Sequence, residues 1–286
     1  MKRILITGAN SYIGTSFERW VEQWPDKYSV DTVDMKDGSW KEKDFSEYDV
    51  VFHVAGIAHI KETPENKDLY YKVNCDLAVE VAKAFKVVTE ETKSKRHFIF
   101  LSSMSVYGIN TGVITKAKQP SPISNYGKSK LQAEGLIKEL ESENFIISIL
   151  RPPMVYGNGC KGNYVALSKL AKNLPVFPEF ENQRSMIHID NLNEFVRLLL
   201  EDGTSGLFFP QNKEYVKTSE MVKAIAMANN KTSHTTRIFN PLLKLACKNV
   251  GIVKKAFGSL IYEHDMSGNY EYCVCEFEES ILKTEK

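Results

Sequence analysis

The sequence predicts an α/β chain built on a doubly wound parallel sheet, with a smaller substrate-binding region interleaved toward its C-terminal end. Three observations predict this. Short apolar runs such as Ile4-Leu5-Ile6 and Phe145-Ile-Ile-Ser-Ile-Leu150 recur through the first half. Amphipathic helical stretches separate them, and strands alternating with helices indicate a parallel sheet covered on both faces. A glycine-spaced turn, Thr7-Gly8-Ala9-Asn10-Ser11-Tyr12-Ile13-Gly14, joins the first run to the first helix.

The elements follow in order. Ile4–Ile6 is a short buried strand, and the helix after it runs from about Tyr12 to Trp24, where Pro25 ends it. Tyr28–Val33 reads as the second strand, closed by Asp34, and Val50–Val54 as the third. A long helix spans about Lys67 to Thr89, with Leu69, Val73, Leu77, Val81 and Phe85 along one face. Phe98–Leu101 is the fourth strand, a helix bearing Tyr126 extends to about Ser142, and Phe145–Leu150 is the fifth strand. After Arg151-Pro152-Pro153 the rhythm breaks, and Pro175, Pro178, Pro210 and Pro241 punctuate shorter elements. Residues 1–155 therefore read as the sheet domain and 156–286 mainly as the substrate-binding region, with a helix near 190–201 and a strand near 207–209 returning to the sheet.

The turn after the first strand has the form that presents backbone N–H groups and a helix's positive end to a pyrophosphate, the Rossmann arrangement. Its spacing is Gly8-x-x-Ser11-x-x-Gly14. A serine stands in the middle, where glycine usually lets a phosphate approach; its hydroxyl is able to donate to a phosphate oxygen. Read alone, the turn also fits a strand-to-helix connection that binds nothing. Asp34 favours the dinucleotide: at the end of the second strand a carboxylate accepts from the adenosine ribose hydroxyls and repels a 2′-phosphate, so NAD is expected over NADP. The candidate cofactor contacts here are Gly8, Asn10, Ser11, Tyr12, Ile13, Gly14 and Asp34. Gly162-Asn163, before a helical pattern, offers a second anion site at a helix N-terminus.

Tyr126 and Lys130 form the one Tyr-x-x-x-Lys pair in the chain. Four residues apart on a helix they share a face. Bringing a phenol from its usual ~10 to near neutrality needs roughly 4 kcal/mol. One cation ~4 Å away at an effective dielectric of ~20 supplies about that much. The pair is thus able to serve as a tyrosine acid–base, with Lys130 lowering the phenol pKa.

Charge and cysteines narrow the classes. With 37 basic against 36 acidic side chains and no long basic run, no nucleic-acid surface is expected. The N-terminal apolar stretch is too short for a secretion signal and no run approaches membrane-spanning length, so a soluble cytoplasmic protein with no membrane contact is expected. Of five cysteines only Cys273-Val274-Cys275 lie close together, and the six histidines are scattered, so no metal site is expected. His53 and His59 read as core or pocket-lining residues.

Together these motifs resemble the extended short-chain dehydrogenase/reductase superfamily, in particular its nucleotide-sugar epimerases, reductases and dehydratases. The likeness covers nearly the whole chain. Thr7–Gly14 resembles the family's TGxxGxxG apart from Ser11. Val54-Ala55-Gly56 resembles the segment that passes under the cofactor, and Asn74 the family's helix asparagine. Ser102-Ser-Met-Ser-Val-Tyr-Gly108 resembles its serine motif, which implies Ser103 as the hydroxyl partner of Tyr126. Arg151-Pro-Pro-Met-Val-Tyr-Gly157, with Pro153, resembles the segment beside the nicotinamide. Arg184-Ser-Met-Ile-His-Ile-Asp190 resembles the stretch whose arginine grips the nucleotide diphosphate. The resemblance implies Ser103, Tyr126 and Lys130 as catalytic residues, with Tyr126 and Lys130 also touching the cofactor. It implies Ser103, Asn163 and Arg184 at a UDP-sugar. A homodimer follows by the same analogy.

Sugar 4,6-dehydratases of this superfamily carry an Asp-Glu pair directly after the hydroxyl residue; Met104 and Ser105 stand there, which argues against dehydration. Two readings survive at nearly equal weight, with UDP-hexose 4-epimerase through a 4-keto intermediate in front. The other is a NAD(P)H-dependent 4-reductase of UDP-4-keto-6-deoxy-hexosamines, which the stretches Lys254–Leu260 and Glu278–Lys283 resemble. A non-catalytic dinucleotide-binding regulator is a third reading, disfavoured by the retained Tyr–Lys pair.

Overall fold

The computed structural model describes residues 1–58, 60–238, 240–241, 257–268 and 270–286. His59 and residues 254–256 of the reductase-like stretch lie outside them. In chain order the first elements are β1 (Lys2–Thr7), α1 (Tyr12–Val21), β2 (Tyr28–Val33), β3 (Val50–His53), α2 (Lys67–Tyr71), α3 (Leu77–Thr92) and β4 (Arg96–Leu101). There follow β5 (Gly112–Ile114), α4 (Asn125–Lys138), β6 (Phe145–Leu150), β7 (Met154–Tyr156), α5 (Asn163–Asn173), β8 (Val176–Pro178) and β9 (Met186–His188). Last come α6 (Ile189–Asp202), β10 (Gly206–Phe208), α7 (Thr218–Ala228), β11 (His234–Thr236), β12 (Leu260–Tyr262) and a C-terminal helix, Phe277–Glu285.

The first unit comprises Met1–Gly108, Pro120–Pro152 and Asn193–Phe209. It holds a six-stranded sheet in the order β10-β6-β4-β3-β1-β2. Every pairing within it is parallel. The apolar runs form its centre: β3, β4 and β6 are buried at every position, as fits strands covered on both faces. Phe17 of α1 meets Phe52 edge-on at 5.4 Å on one face. Leu5, Val51, Phe98 and Ile147 pack with Phe85, Ala133 and Ile137 of α3 and α4 in one cluster. Because β1 pairs with β2 on one side and β3 on the other, the strand order reverses at β1/β3, the place where ligands bind in open sheets of this kind.

The long second helix differs from expectation. It is broken by a π-helical turn at Lys72–Asp76, between α2 and α3. A π turn inserts one residue, and at 3.6 residues per turn that rotates the buried face by about 100°. Leu69 is consequently 44% exposed while its neighbour Tyr70 is buried; beyond the turn Val81 and Phe85 face the core as the spacing predicts. Helix ends differ less: α1 stops at Val21 and α4 at Lys138.

The second unit comprises Ile109–Gln119, Pro153–Leu192 and Pro210–Lys286. Its strands form three short pairs, β5/β12, β8/β11 and β7/β9. Its C-terminal helix is tied down by side chains: Ser280 bonds the Tyr156 hydroxyl at 2.6 Å, and Glu285 accepts from Tyr164 at 2.9 Å and Asn229 at 2.9 Å.

Candidate active site

The glycine-spaced turn sits at the C-terminal edge of the sheet, at the β1/β3 reversal. Gly8 takes φ +101°, open to glycine, and a Cβ there would stand 3.0 Å from the Ala55 backbone. Gly8 and Ala9 both donate to the Val33 carbonyl, at 2.9 and 3.0 Å, so the turn is pinned to the end of β2 one residue before Asp34. The Asp34 carboxylate accepts from the Lys36 N–H at 3.0 Å, which fixes the loop that carries it. Asn10 is left-handed at φ 63°. Ser11 is the N-cap of α1, its hydroxyl oxygen accepting from the Gly14 N–H at 3.2 Å. That bond uses the oxygen as acceptor and leaves the hydroxyl proton for a further partner. The first turn of α1, Tyr12–Gly14, directs its N–H groups to the end of the helix where the dipole favours an anion. Val54 and Ala55 are buried beneath the turn, with Val54 N–H on the Thr7 carbonyl at 3.3 Å. The donor set, the glycine cradle and the adjoining carboxylate fit a dinucleotide.

Asn74 explains the π turn. It is fully buried; its Oδ1 accepts from the Ile57 N–H at 2.8 Å, and its Nδ2 donates to the Ile57 carbonyl at 3.1 Å and to the Ser129 hydroxyl at 3.2 Å. One amide thus ties the segment after β3 to the helix that bears Tyr126 and Lys130. That helix, α4, is capped twice: Ser124 accepts from Gly127 N–H at 3.1 Å, and the Glu62 carboxylate accepts from Asn125 N–H at 3.2 Å. Gly127 permits close approach to the serine segment, since a Cβ there would fall 2.6 Å from the Ser105 carbonyl oxygen.

The three expected catalytic side chains all lie in this unit. Ser103 follows β4, caps the turn Met104–Tyr107, and accepts from Ser105 N–H at 3.1 Å. Burial holds the Tyr126 phenol above its ordinary pKa, while the neighbouring Ser103 hydroxyl acts the other way and pulls the value down. This corrects the expectation that Lys130 sets the phenol's acidity. The Lys130 ammonium donates instead to the Leu101 carbonyl at 2.7 Å and lies 4.6 Å above the Phe100 ring. Burial brings Lys130 down to about 8, while Glu134 pulls it upward. His53 is wholly buried; its Nδ1 pairs with Thr7 at 2.8 Å, and desolvation, then the Lys130 charge, lower it to about 3, so it is neutral.

The sequence reading missed Glu134 and passed over Arg151 as part of a motif. Both are buried and ion-paired, Arg151 Nε lying 3.0 Å from Glu134 Oε1. Ser102 donates to the same carboxylate, and Arg151 Nη1 donates to the Tyr107 hydroxyl at 2.9 Å. The available signal was a period of four: Tyr126, Lys130 and Glu134 share one face of α4.

The remaining candidates belong to the second unit. Pro153 is buried and begins the second segment of that unit. Asn163 is exposed and is the first residue of α5, behind Gly162. Arg184 is half-buried between strands, bridging Val216 and Leu260, and donates from Nη1 to the Gly258 carbonyl at 3.0 Å. His188, Asp190 and Cys275 approach as a metal ion would need, yet the Lys283 ammonium lies 3.2 Å from Asp190 in the same group.

A parallel sheet with a glycine cradle at its strand reversal, and a Ser–Tyr–Lys group on the adjoining strand and helix, defines an enzyme of the extended short-chain dehydrogenase/reductase class. Residues 4–208 match the model of the NAD dependent epimerase/dehydratase family, and the chain belongs to that family. It is 28% identical over 256 residues to the UDP-glucose 4-epimerase of Vibrio cholerae, covering 80% of this chain and 76% of that one. It is 24% identical over 277 residues to the N-acetyl-alpha-D-glucosaminyl-diphospho-ditrans,octacis-undecaprenol 4-epimerase of Escherichia coli O157:H7, covering 89% and 81%. Among solved structures, UDP-glucuronic acid 4-epimerase from Bacillus cereus in complex with NAD superposes with a TM-score of 0.73 at 18% identity, over 99% of this chain and 97% of that one. No helix among the described residues is long and apolar enough to cross a membrane.

Proposed function

We propose that the protein is a UDP-hexose 4-epimerase that works through a 4-keto sugar, with Tyr126 as the acid–base. The observation that carries this is the Ser103 hydroxyl beside the Tyr126 phenol just past the strand end, with Met104 and Ser105 where dehydratases have acids. Ser103 holds the O4 oxygen while Tyr126 takes its proton as the C4–O4 bond becomes a carbonyl, and Tyr126 gives the proton back when that carbonyl is reduced from the other face. When bound, NAD supplies the acceptor and donor of the C4 hydride. Gly8, Ser11, the first turn of α1 and Asp34 would hold it, with Val54–Gly56 next to them. Asp34 supports NAD over NADP through its repulsion of a 2′-phosphate. Lys130 would bond the nicotinamide ribose. Arg184, whose planar fork matches a diphosphate, and the α5 N-terminus at Asn163 are assigned to the UDP moiety.

A cytoplasmic homodimer completes the proposal. Val87 of α3 and Leu136 of α4, 53% and 39% exposed, support a subunit contact on those helices, and sedimentation measures it. The function is tested with a panel of UDP-sugars, with and without a 4-keto group, followed by product NMR and nicotinamide absorbance. Inversion at C4 with no net nicotinamide consumed supports the epimerase; stoichiometric oxidation of NAD(P)H makes the protein a 4-ketoreductase.

A further inference from the structure

We propose that the buried Glu134–Arg151 pair is a positioning element for the acid–base site: it fixes both ends of the segment that carries Ser103, and its carboxylate keeps Lys130 in the ammonium form. The inference rests on the roles proposed above for Ser103 and Lys130.

The geometry is a clamp. At one end of the segment the Glu134 carboxylate accepts from the Ser102 hydroxyl, while Lys130 holds the preceding carbonyl, that of Leu101, at 2.7 Å. At the other end Arg151 donates to the Tyr107 hydroxyl at 2.9 Å and lies over that ring at 5.1 Å. Between them Met104 N–H donates to the Pro152 carbonyl at 3.0 Å, next to Arg151 in the chain. Ser103 is therefore suspended between two points that one ion pair joins. Arg151 reaches the carboxylate through both Nε and Nη2, a forked contact that sets orientation as well as distance. An ion pair at this depth contributes little net stability compared with apolar groups of the same size, so its value here is placement.

The charge effect follows from the same position. Glu134 lies one helical turn beyond Lys130, and its attraction opposes the desolvation that favours the neutral amine. The other titratable groups facing this region are His53 on β3, which is neutral, Tyr126 on the same helix, Tyr70 beyond the phenol, and Arg151 behind the carboxylate. Among these, Glu134 is the group that favours the charged lysine.

The test reads Lys130 directly in the full-length protein with no nucleotide added, so it is independent of which sugar is turned over. Lysine side chains are labelled with ¹³C at Cε and titrated by NMR, with Lys130→Arg identifying the resonance. The wild-type midpoint is expected near 8, and Glu134→Gln is expected to move it to lower pH by a unit or more, a tenfold loss of ammonium at fixed pH above the midpoint. Should Glu134→Gln leave Arg151 unpaired and fail to fold, the double variant Glu134→Gln/Arg151→Met removes both charges together, which buried pairs tolerate better. An acidward shift is expected there too, smaller because the Arg151 cation that opposes the ammonium is removed with the carboxylate. A purely structural clamp would alter stability without moving the lysine midpoint, and an unmoved midpoint in whichever variant folds overturns the proposal.

Discussion

Lys130 gives the sharpest quantitative prediction, because the fold holds it against its own preference. Burial brings it from the ordinary 10.5 to about 8. A group whose folded pKa lies below its unfolded one binds fewer protons when folded across the interval between the two values. Stability therefore rises with pH from 8 to 10.5, and the penalty is fully present below 8. At pH 7 that penalty is about 3 kcal/mol, from the pKa difference at about 1.4 kcal/mol per pH unit. Lys130→Met removes it and also removes the donor to the buried Leu101 carbonyl, which costs about 1–3 kcal/mol. The two effects nearly offset at neutral pH, so a single stability value is uninformative. Their pH dependence is not, since the carbonyl term is constant. Urea denaturation of wild type and Lys130→Met at pH 7 and at pH 9.5 isolates it. The wild type should gain about 2 kcal/mol on the variant over that interval. A difference that stays level, or moves the other way, would refute the picture of a charged, desolvated lysine.

Three further outcomes follow from the same geometry. Asp34→Ala should narrow the preference for NAD over NADP, read as the ratio of the two dissociation constants; a wild-type enzyme that already favours NADP contradicts the role given to that carboxylate. Gly127→Ala drives a Cβ toward the Ser105 carbonyl and should cost about 1–3 kcal/mol in a denaturant melt, together with a fall in kcat as Ser103 and Tyr126 move apart. Asn74→Ala removes the bonds that join Ile57 and Ser129, and should lower the melting temperature and speed amide exchange in the segment after β3.

How much of this was legible in the chain follows from the range of each interaction. The sheet was legible because buried parallel strands need continuous apolar runs, and β2 and β6 have the bounds the sequence predicts, Tyr28–Val33 and Phe145–Leu150. The turn at Gly8–Gly14 was legible because its backbone geometry is local. The π turn at Asn74 was not: Leu69 through Phe85 keep an even spacing of four, and only the pull of Asn74 toward Ile57 and Ser129 changes the phase of the helix. The acidity of Tyr126 was misjudged for a related reason. Spacing puts Lys130 on the right face of α4, but the Leu101 carbonyl, supplied by a strand distant in sequence, decides where the ammonium goes. The Glu134–Arg151 pair likewise depends on two elements meeting in space: spacing puts Glu134 on the face of Tyr126 and Lys130, and nothing along the chain sets Arg151 opposite it.

The central claim is that the Tyr126 phenol moves the proton at the sugar. Tyr126→Phe keeps the ring and deletes that one oxygen, so NAD affinity, measured by calorimetry, should stay within a few fold of wild type while C4 inversion of the UDP-hexose, followed by NMR, falls by roughly 10²–10⁴. Unimpaired inversion by the phenylalanine variant would contradict the account at its foundation.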